Sequence, residues 1–173
     1  MTYFPPPLSQ SRRISALTSE GMGVVIGSFD EIHEEVPWST SNLALYVPIV
    51  IRIPTPLTGF YWLMNTTANV DVGLYSSAGT RLVSAGSTAG SGVDTYQEFD
   101  VADMIVGPGR YYIGTACDNG AGQVGGVSLA AIYLRMMGVK QEASAFPLPA
   151  TATFATPAGT LLPSAGFKSV STA

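Results

Sequence analysis

The stretch from Asn69 to Ala85, Asn-Val-Asp-Val-Gly-Leu-Tyr-Ser-Ser-Ala-Gly-Thr-Arg-Leu-Val-Ser-Ala, decides the fold class. Its first half alternates apolar residues with others at a period of two, which is typical of a β-strand with one buried face. Ser76 to Gly79 has turn chemistry, and glycine tolerates the positive φ of a tight turn. Thr80 to Ala85 is the predicted return strand, with Leu82 facing the same core. The stretch therefore predicts an antiparallel hairpin with one solvated and one buried face.

Short strand candidates separated by Gly and Pro recur along the rest of the chain. Leu43 to Ile53 alternates most cleanly, and Pro48 within it marks an edge position or a bulge. Gly107-Pro108-Gly109 is a strong turn signal before another strand candidate. This spacing predicts an all-β fold, an antiparallel jelly-roll-like β-sandwich. Residues 127–137 carry apolar side chains at helical spacing, so we predict one short helix there, with a buried strand as the alternative.

Composition divides the 173 residues into a body and two arms. Residues 1–20 contain Pro5-Pro6-Pro7 and show no clear periodicity, which predicts an extended N-terminal arm. Residues 21–142 hold the strand candidates and form the predicted sandwich domain. Residues 143–173 are rich in Ala, Thr, Pro and Ser, and we predict a second extended arm. An isolated arm of this composition frays, so an ordered arm is expected to lie on a neighbouring subunit.

The chain carries few charges: 12% of its residues are charged and its net charge is −4. This balance argues against a nucleic-acid partner, because nucleic-acid-binding proteins neutralise phosphates with Lys and Arg side chains. No apolar run approaches the roughly 20 residues that cross a bilayer, and the N-terminus lacks a signal-peptide pattern, so we expect no membrane partner. A low-charge, apolar-rich surface is unusual for a free monomer and indicates surface that partners cover.

The candidate metal-binding residues surround His33, the single histidine. The neighbouring acids are Asp30, Glu31, Glu34 and Glu35. Carboxylates of this density can hold a calcium ion, but a solvated acidic loop is the more common arrangement, and we predict a loop or one helical turn over 30–38. The single cysteine, Cys117, excludes an internal disulfide and any multi-thiolate metal site, and we predict a buried thiol.

Other patterns point only weakly to chemistry. Gly120 to Gly125 matches the dinucleotide fingerprint G-x-G-x-x-G, but the chain lacks the βαβ alternation of that fold, so we favour a Gly-rich loop. Asp94, Asp100 and Asp103 could supply the two carboxylates of a glycosidase, although nothing in their spacing brings them into a cleft. We therefore predict a protein that is not an enzyme and has no cofactor or metal.

Aromatic residues of the strand candidates could form stacking platforms for sugar rings. They are Trp38, Phe60, Tyr61, Trp62, Tyr111 and Tyr112. Because adjacent residues on a strand point to opposite faces, one member of each neighbouring pair is expected in the core. Sugar binding is therefore an alternative function rather than the favoured one.

Three segments together resemble a known family. They are the hairpin from Asn69 to Ser84, the segment from Phe99 to Tyr112 with its Gly-Pro-Gly-Arg-Tyr-Tyr turn, and Phe146-Pro147-Leu148-Pro149. This array resembles the β-sandwich structural proteins of tailed bacteriophage virions, which are capsid decoration (cement) or tail-associated subunits. The hairpin and the Pro-Gly-x-Tyr-Tyr turn also resemble carbohydrate-binding and other accessory sandwich domains of bacteria.

The resemblance implies a non-enzymatic protein of the phage particle, a capsid decoration protein that stabilises the head by bridging subunits. Its partners would be the major capsid protein or other virion subunits, and capsid symmetry favours a homo-oligomer such as a trimer. The alternatives are a tail or fibre-associated subunit and a carbohydrate-binding module. Partner binding is assigned to eight residues of the two arms. They are Tyr3, Phe4, Pro5, Arg12, Arg13, Phe146, Leu148 and Phe154.

Overall fold

The computed structural model describes residues 34–38 and 40–169, with the side chains of Val93 and Asp94 left out. It confirms the antiparallel β-sandwich: two sheets enclose one large apolar core, and one short helix is present. The strands are β1 (Glu34–Pro37), β2 (Leu43–Ile51), β3 (Thr55–Thr66), β4 (Asn69–Ser76), β5 (Arg81–Ser84), β6 (Thr88–Ala89), β7 (Gly92–Val106), β8 (Gly109–Cys117), β9 (Gln123–Ser128), β10 (Lys140–Glu142), β11 (Leu161–Pro163) and β12 (Ala165–Lys168). Helix α1 (Ala131–Met136) lies between β9 and β10.

Each sheet is built around one long central strand. In the first sheet β3 pairs with β7 along one edge and with β12 and then β9 along the other, and β1 and β11 pair with β9. In the second sheet the order is β10-β2-β8-β4-β5, with β6 also on β4. Trp38, Phe60, Trp62 and Phe167 fill the space between the sheets and are fully buried.

The predicted hairpin is β4 and β5, and the structure confirms its turn, since Gly79 has a φ of 87°. Leu82 does not face the core as predicted; it is 40% exposed. The reason is a β-bulge, because Leu74 pairs with Val83 while Tyr75 pairs with Arg81, which leaves Leu82 without a partner across the hairpin. Val83 packs on the core in its place.

The second face of β4 is buried, which corrects the prediction of a solvated face. Asp71 and Tyr75 on β4 and Tyr46 on β2 are all fully buried, although they point away from the core. The segment from 145 to 155 crosses this outer face of the second sheet, and we call it the strap. Ala145, Leu148 and Ala152 of the strap are buried with these tyrosines in a second apolar cluster.

The predicted boundary at residue 142 is also wrong, because the described part of the C-terminal segment belongs to the sandwich. After the strap, β11 pairs with β9 and β12 pairs with β3. The bend between them is held by Ser164, whose N–H donates to the Gly125 carbonyl at 2.9 Å while its carbonyl accepts from the Leu63 N–H at 3.2 Å. Residues 143–169 are therefore part of the domain.

The structure tests three smaller predictions. The short helix is confirmed at Ala131–Met136, whereas Val127 and Ser128 belong to β9. Glu34–Pro37 forms β1 rather than a loop or helical turn. A strand, β9, follows the first two glycines of the G-x-G-x-x-G match, so that segment lacks the helix that would bind a dinucleotide.

The N-terminal predictions lie outside the described residues: the arm at 1–20, the start of the predicted sandwich domain at 21–33 and the acids that precede Glu34. Within the described ranges, no helix has both the length and the apolar character needed to cross a membrane.

Candidate partner-binding surfaces

Polar side chains of the hairpin hold the strap on the second sheet. The Leu148 N–H donates to Asp71 Oδ2 at 3.0 Å, and the Arg81 guanidinium donates to the Leu148 carbonyl. The Tyr75 hydroxyl donates to the Pro149 carbonyl at 2.6 Å. A buried backbone group without a partner is costly. The hydrogen bonds of these three side chains therefore fix where the strap lies on the sheet, which apolar contact alone would not do.

Aromatic rings extend the same contact toward the end of the strap. The Phe154 ring lies 5.1 Å from that of Tyr46 and 4.7 Å from that of Tyr112, measured between centroids. Phe146 packs on the same cluster, and Leu148 is buried within it. The three C-terminal residues that we assigned to partner binding, Phe146, Leu148 and Phe154, therefore contact the chain's own sheet, while the five N-terminal ones lie outside the described residues.

Burial governs the ionisation of the groups under the strap. Burial raises the pKa of the Asp71 carboxyl, an effect that the Leu148 N–H and the nearby Arg81 charge only partly offset. Burial likewise raises the pKa of the Tyr75 hydroxyl, which stays protonated and donates to the strap. Asp71 is thus an acid whose charged form is disfavoured in the folded protein.

Replacing Asp71 by Asn is expected to change how stability depends on pH. Because the pKa of Asp71 is raised on folding, the folded state takes up a proton more readily than the unfolded chain, and wild type gains stability as pH falls through that raised pKa. The gain is complete below the ordinary value of 3.8. The melting temperature of wild type should therefore rise relative to Asp71→Asn between pH 7 and pH 4. A difference independent of pH, or one that falls, would contradict this reading.

A groove opens on the outer face of the second sheet beside the strap. It encloses about 550 Å³, and its wall includes Pro48, Val50, Tyr112 and Met137. Arg110 and Lys140 also line it, and neither forms an ion pair with any described residue. An apolar wall with two cationic groups suits a ligand that is apolar in body and carries negative charge.

Exposed apolar side chains gather toward one end of the sandwich, where β2 turns into β3; we call it the β2–β3 end. Val50 and Ile53 are 52% and 61% exposed beside this turn, and Ile105, opposite Pro56, is 66% exposed. β9 runs toward the same end and leads into α1, which adds three more exposed apolar residues. Those are Ile132, Tyr133 and Met136.

Both tails of the described chain also leave toward the β2–β3 end. β1 is antiparallel to β9, so Glu34, the first described residue, lies at the end of β1 toward which β9 runs. β12 is antiparallel to β3, and its last residue, Lys168, pairs with Gly59 near the start of β3. The apolar side chains and both ends of the described chain therefore lie toward one end of the sandwich.

The predicted chemical sites do not assemble among the described residues. No group of three or more His, Cys, Asp or Glu side chains in the described ranges could hold a metal ion. Asp100 and Asp103 are exposed on β7, and the Asp94 side chain is not described. Cys117 is buried as predicted, and burial raises the pKa of its thiol, which makes it a poor nucleophile.

Half of the six predicted sugar platforms are in the core. Trp38, Phe60 and Trp62 are fully buried, so none of the three can stack on a ligand. Tyr112 is half-buried and lines the groove. The fold therefore excludes a sugar site on either tryptophan.

The sequence reading missed Asp71, Tyr75 and Arg81 as binding residues for the strap. The available signal was a carboxylate and an arginine in one hairpin that is otherwise apolar, since a charged residue inside a strand needs a partner if its face is covered.

Comparisons with protein-family models, with curated proteins and with solved structures find no match to this chain.

Proposed function

We propose that this chain is a non-enzymatic structural subunit of a tailed-bacteriophage virion, and that it acts as a capsid decoration protein. The observation that supports this proposal is the β2–β3 end, where exposed apolar side chains and both ends of the described chain lie together. A body that attaches through one end needs that combination: apolar area to bury and chain segments to extend over neighbours.

In the proposed attachment, each buried apolar contact adds to the binding free energy. Burial of apolar surface contributes about 25 cal/mol per Å², from which the cost of ordering the arms is subtracted. Residues 1–20 would reach across to the major capsid protein, while Ile53 and Ile105 bury on the shell. The strap stays on its own sandwich and keeps the second sheet rigid. Assembly as a symmetric homo-oligomer, a trimer, would repeat the contact around one capsid axis.

Deleting residues 1–20 tests the arm. We expect a large loss of occupancy on purified particles, together with lower heat stability of the particles, because the arm supplies bridging contacts. A chain in which residues 1–20 are replaced by a Gly/Ser segment of equal length is the matched control for length, and it should behave like the deletion. Occupancy and particle heat stability that match wild type would remove the arm from the mechanism.

The double variant Ile53→Ser/Ile105→Ser tests the β2–β3 end in the same assay. Both side chains are exposed, so the fold should be retained while occupancy falls. Leu82→Ser removes an apolar side chain that is exposed elsewhere, and it should leave occupancy unchanged. Imaging of labelled particles distinguishes a head position from a tail or fibre position.

A further inference from the structure

The groove beside the strap is the uncovered part of the outer face of the second sheet. Pro48 and Val50 alternate with core residues along β2, so both point away from the core. Across the sheet they pair with Tyr112 and Arg110 of β8, which therefore point the same way. The strap covers the adjoining part of this face, where Tyr46 lies. The part that the strap leaves open is the groove of about 550 Å³.

The covered part of this face shows what kind of segment the sheet binds. Between residues 145 and 155 the strap is not helical and joins the sheets through isolated bridges alone. It buries one apolar side chain, Leu148, while side chains of the sheet bond to its backbone. Its Phe154 ring contacts that of Tyr112, which also lines the groove. The face therefore already binds one irregular, non-helical segment, and the groove adjoins it.

Two cationic side chains, Arg110 and Lys140, border the groove. None of the described residues that line it is Asp or Glu, and neither cation forms an ion pair with a described residue. The next acid along β10, Glu142, accepts a hydrogen bond from the Tyr46 hydroxyl at 2.8 Å. Although the whole chain has a net charge of −4, the groove itself is cationic and favours a negatively charged occupant.

The two cations stand at opposite corners of the groove. On one side of β2, Lys140 of β10 pairs with Tyr46. On the other side, Arg110 of β8 pairs with Val50, four residues further along β2. Four residues along the strands and two strand spacings across them separate the two Cα atoms by about 16 Å. The side chain of Pro48 lies between these corners, so an apolar floor separates the two positive charges.

We propose that this groove binds an extended acidic segment of a partner protein with the pattern acid-x-apolar-x-acid. In an extended chain the two acids are about 13 Å apart and share a face with the apolar residue between them. Their carboxylates reach Arg110 and Lys140, whose long side chains span the remaining distance. The apolar side chain packs between Val50 and Tyr112. The inference does not rest on the proposed virion function, because it concerns a surface of the purified chain.

Fluorescence anisotropy with the purified full chain tests the two cations. The probe is a fluorescein-labelled peptide, Ser-Glu-Thr-Phe-Thr-Glu-Ser. Arg110→Gln/Lys140→Gln should weaken its binding about five- to tenfold, because two charge contacts are lost. Lys168→Gln removes a cation from the other sheet and should bind the probe as wild type does. Equal affinity of the double variant and wild type, or no binding to wild type, would overturn the proposal.

The wild-type chain tests the spacing of the acids without any substitution. The peptide Ser-Thr-Glu-Phe-Glu-Thr-Ser has the composition of the probe, but its acids adjoin the phenylalanine and point to the opposite face of an extended chain. It should bind about five- to tenfold more weakly than the probe, since its carboxylates turn away from the cations. Equal affinity of the two peptides would overturn the proposed spacing.

Competition with octanoate distinguishes a peptide from a small apolar anion. Octanoate carries one carboxylate on an apolar chain, so it can contact only one of the two cations and should displace the probe far less well than unlabelled probe peptide does. Displacement at similar concentrations of octanoate and unlabelled peptide would assign the groove to small anions and overturn the peptide assignment.

Charge reversal places the binding at this groove. Arg110→Glu/Lys140→Glu should prefer the peptide Ser-Lys-Thr-Phe-Thr-Lys-Ser to the acidic probe, which is the reverse of the wild-type preference. A variant that still prefers the acidic probe would show that the peptide binds elsewhere, and that result would overturn the proposal.

Discussion

A chain that stops at Ser144 is expected to lose cooperative thermal unfolding and to bind apolar dyes. The truncation removes the strap, so that Tyr46, Tyr75 and Asp71, all fully buried, face water. It also removes β11 and β12, which leaves β9 and β3 without their partners along one edge. Burying three large side chains contributes several kcal/mol, and a domain of this size has only about 5–15 kcal/mol in total.

Adding the missing segment back as a peptide tests whether the loss of stability comes from that segment. A synthetic peptide covering residues 145–173, added to the truncated chain, should restore a cooperative transition, because the hydrogen-bonding groups of Asp71, Tyr75 and Arg81 are still present. A peptide with Leu148→Ala should restore it less well, since Leu148 is 2% exposed in the full chain. A truncated chain that melts within a few degrees of wild type would show that the strap is dispensable.

Trp62→Ala is expected to lower the free energy of unfolding by about 3–5 kcal/mol, as large-to-small changes of aromatic residues in cores do. Trp62 is fully buried, and its ring meets that of Trp38 at 5.3 Å between centroids with an angle of 65°. Loss of sugar binding in this variant would therefore report unfolding rather than loss of a stacking platform. Urea denaturation followed by circular dichroism measures the change.

Trp62→Phe is the control for this prediction. Trp62 Nε1 is buried and has no hydrogen-bond partner among residues 34–38 and 40–169, so phenylalanine removes no hydrogen bond within these ranges and keeps most of the aromatic volume. Its cost should be well below that of alanine. A Trp62→Ala protein that unfolds within about 1 kcal/mol of wild type would mean that the core rearranges around the lost ring.

Local patterns in the sequence predicted the fold class well. The alternation in Asn69 to Ser76 and the turn at Gly79 belong to the chain itself, and they reappear as β4, the turn and β5. The exposed position of Leu82 could not be read in this way, because a one-residue bulge reverses which side chains face the core. Patterning alone does not reveal a bulge.

The role of the C-terminal segment could not be predicted from the sequence, for a different reason. Its Pro-rich composition has no strand periodicity, and it is ordered by partners that are distant in sequence: Asp71 and Leu148 are 77 residues apart. Because Asp71 is polar, the outer face of β4 was predicted to be solvated. The contact with Leu148 shows instead that the strap covers this face and buries Asp71 fully. Only the folded chain brings the two segments together.

The position of Glu34 and Lys168 toward the β2–β3 end has a practical consequence for protein engineering. A reporter joined directly to either of these residues would occupy that pole, where it would compete with anything that docks there. The turn between β8 and β9, at the far pole, offers another position: Ala121 is exposed, and the Gly122 N–H closes the turn on the Asn119 carbonyl at 3.2 Å. An epitope inserted at Ala121 would point away from the docked pole and stay accessible to an antibody.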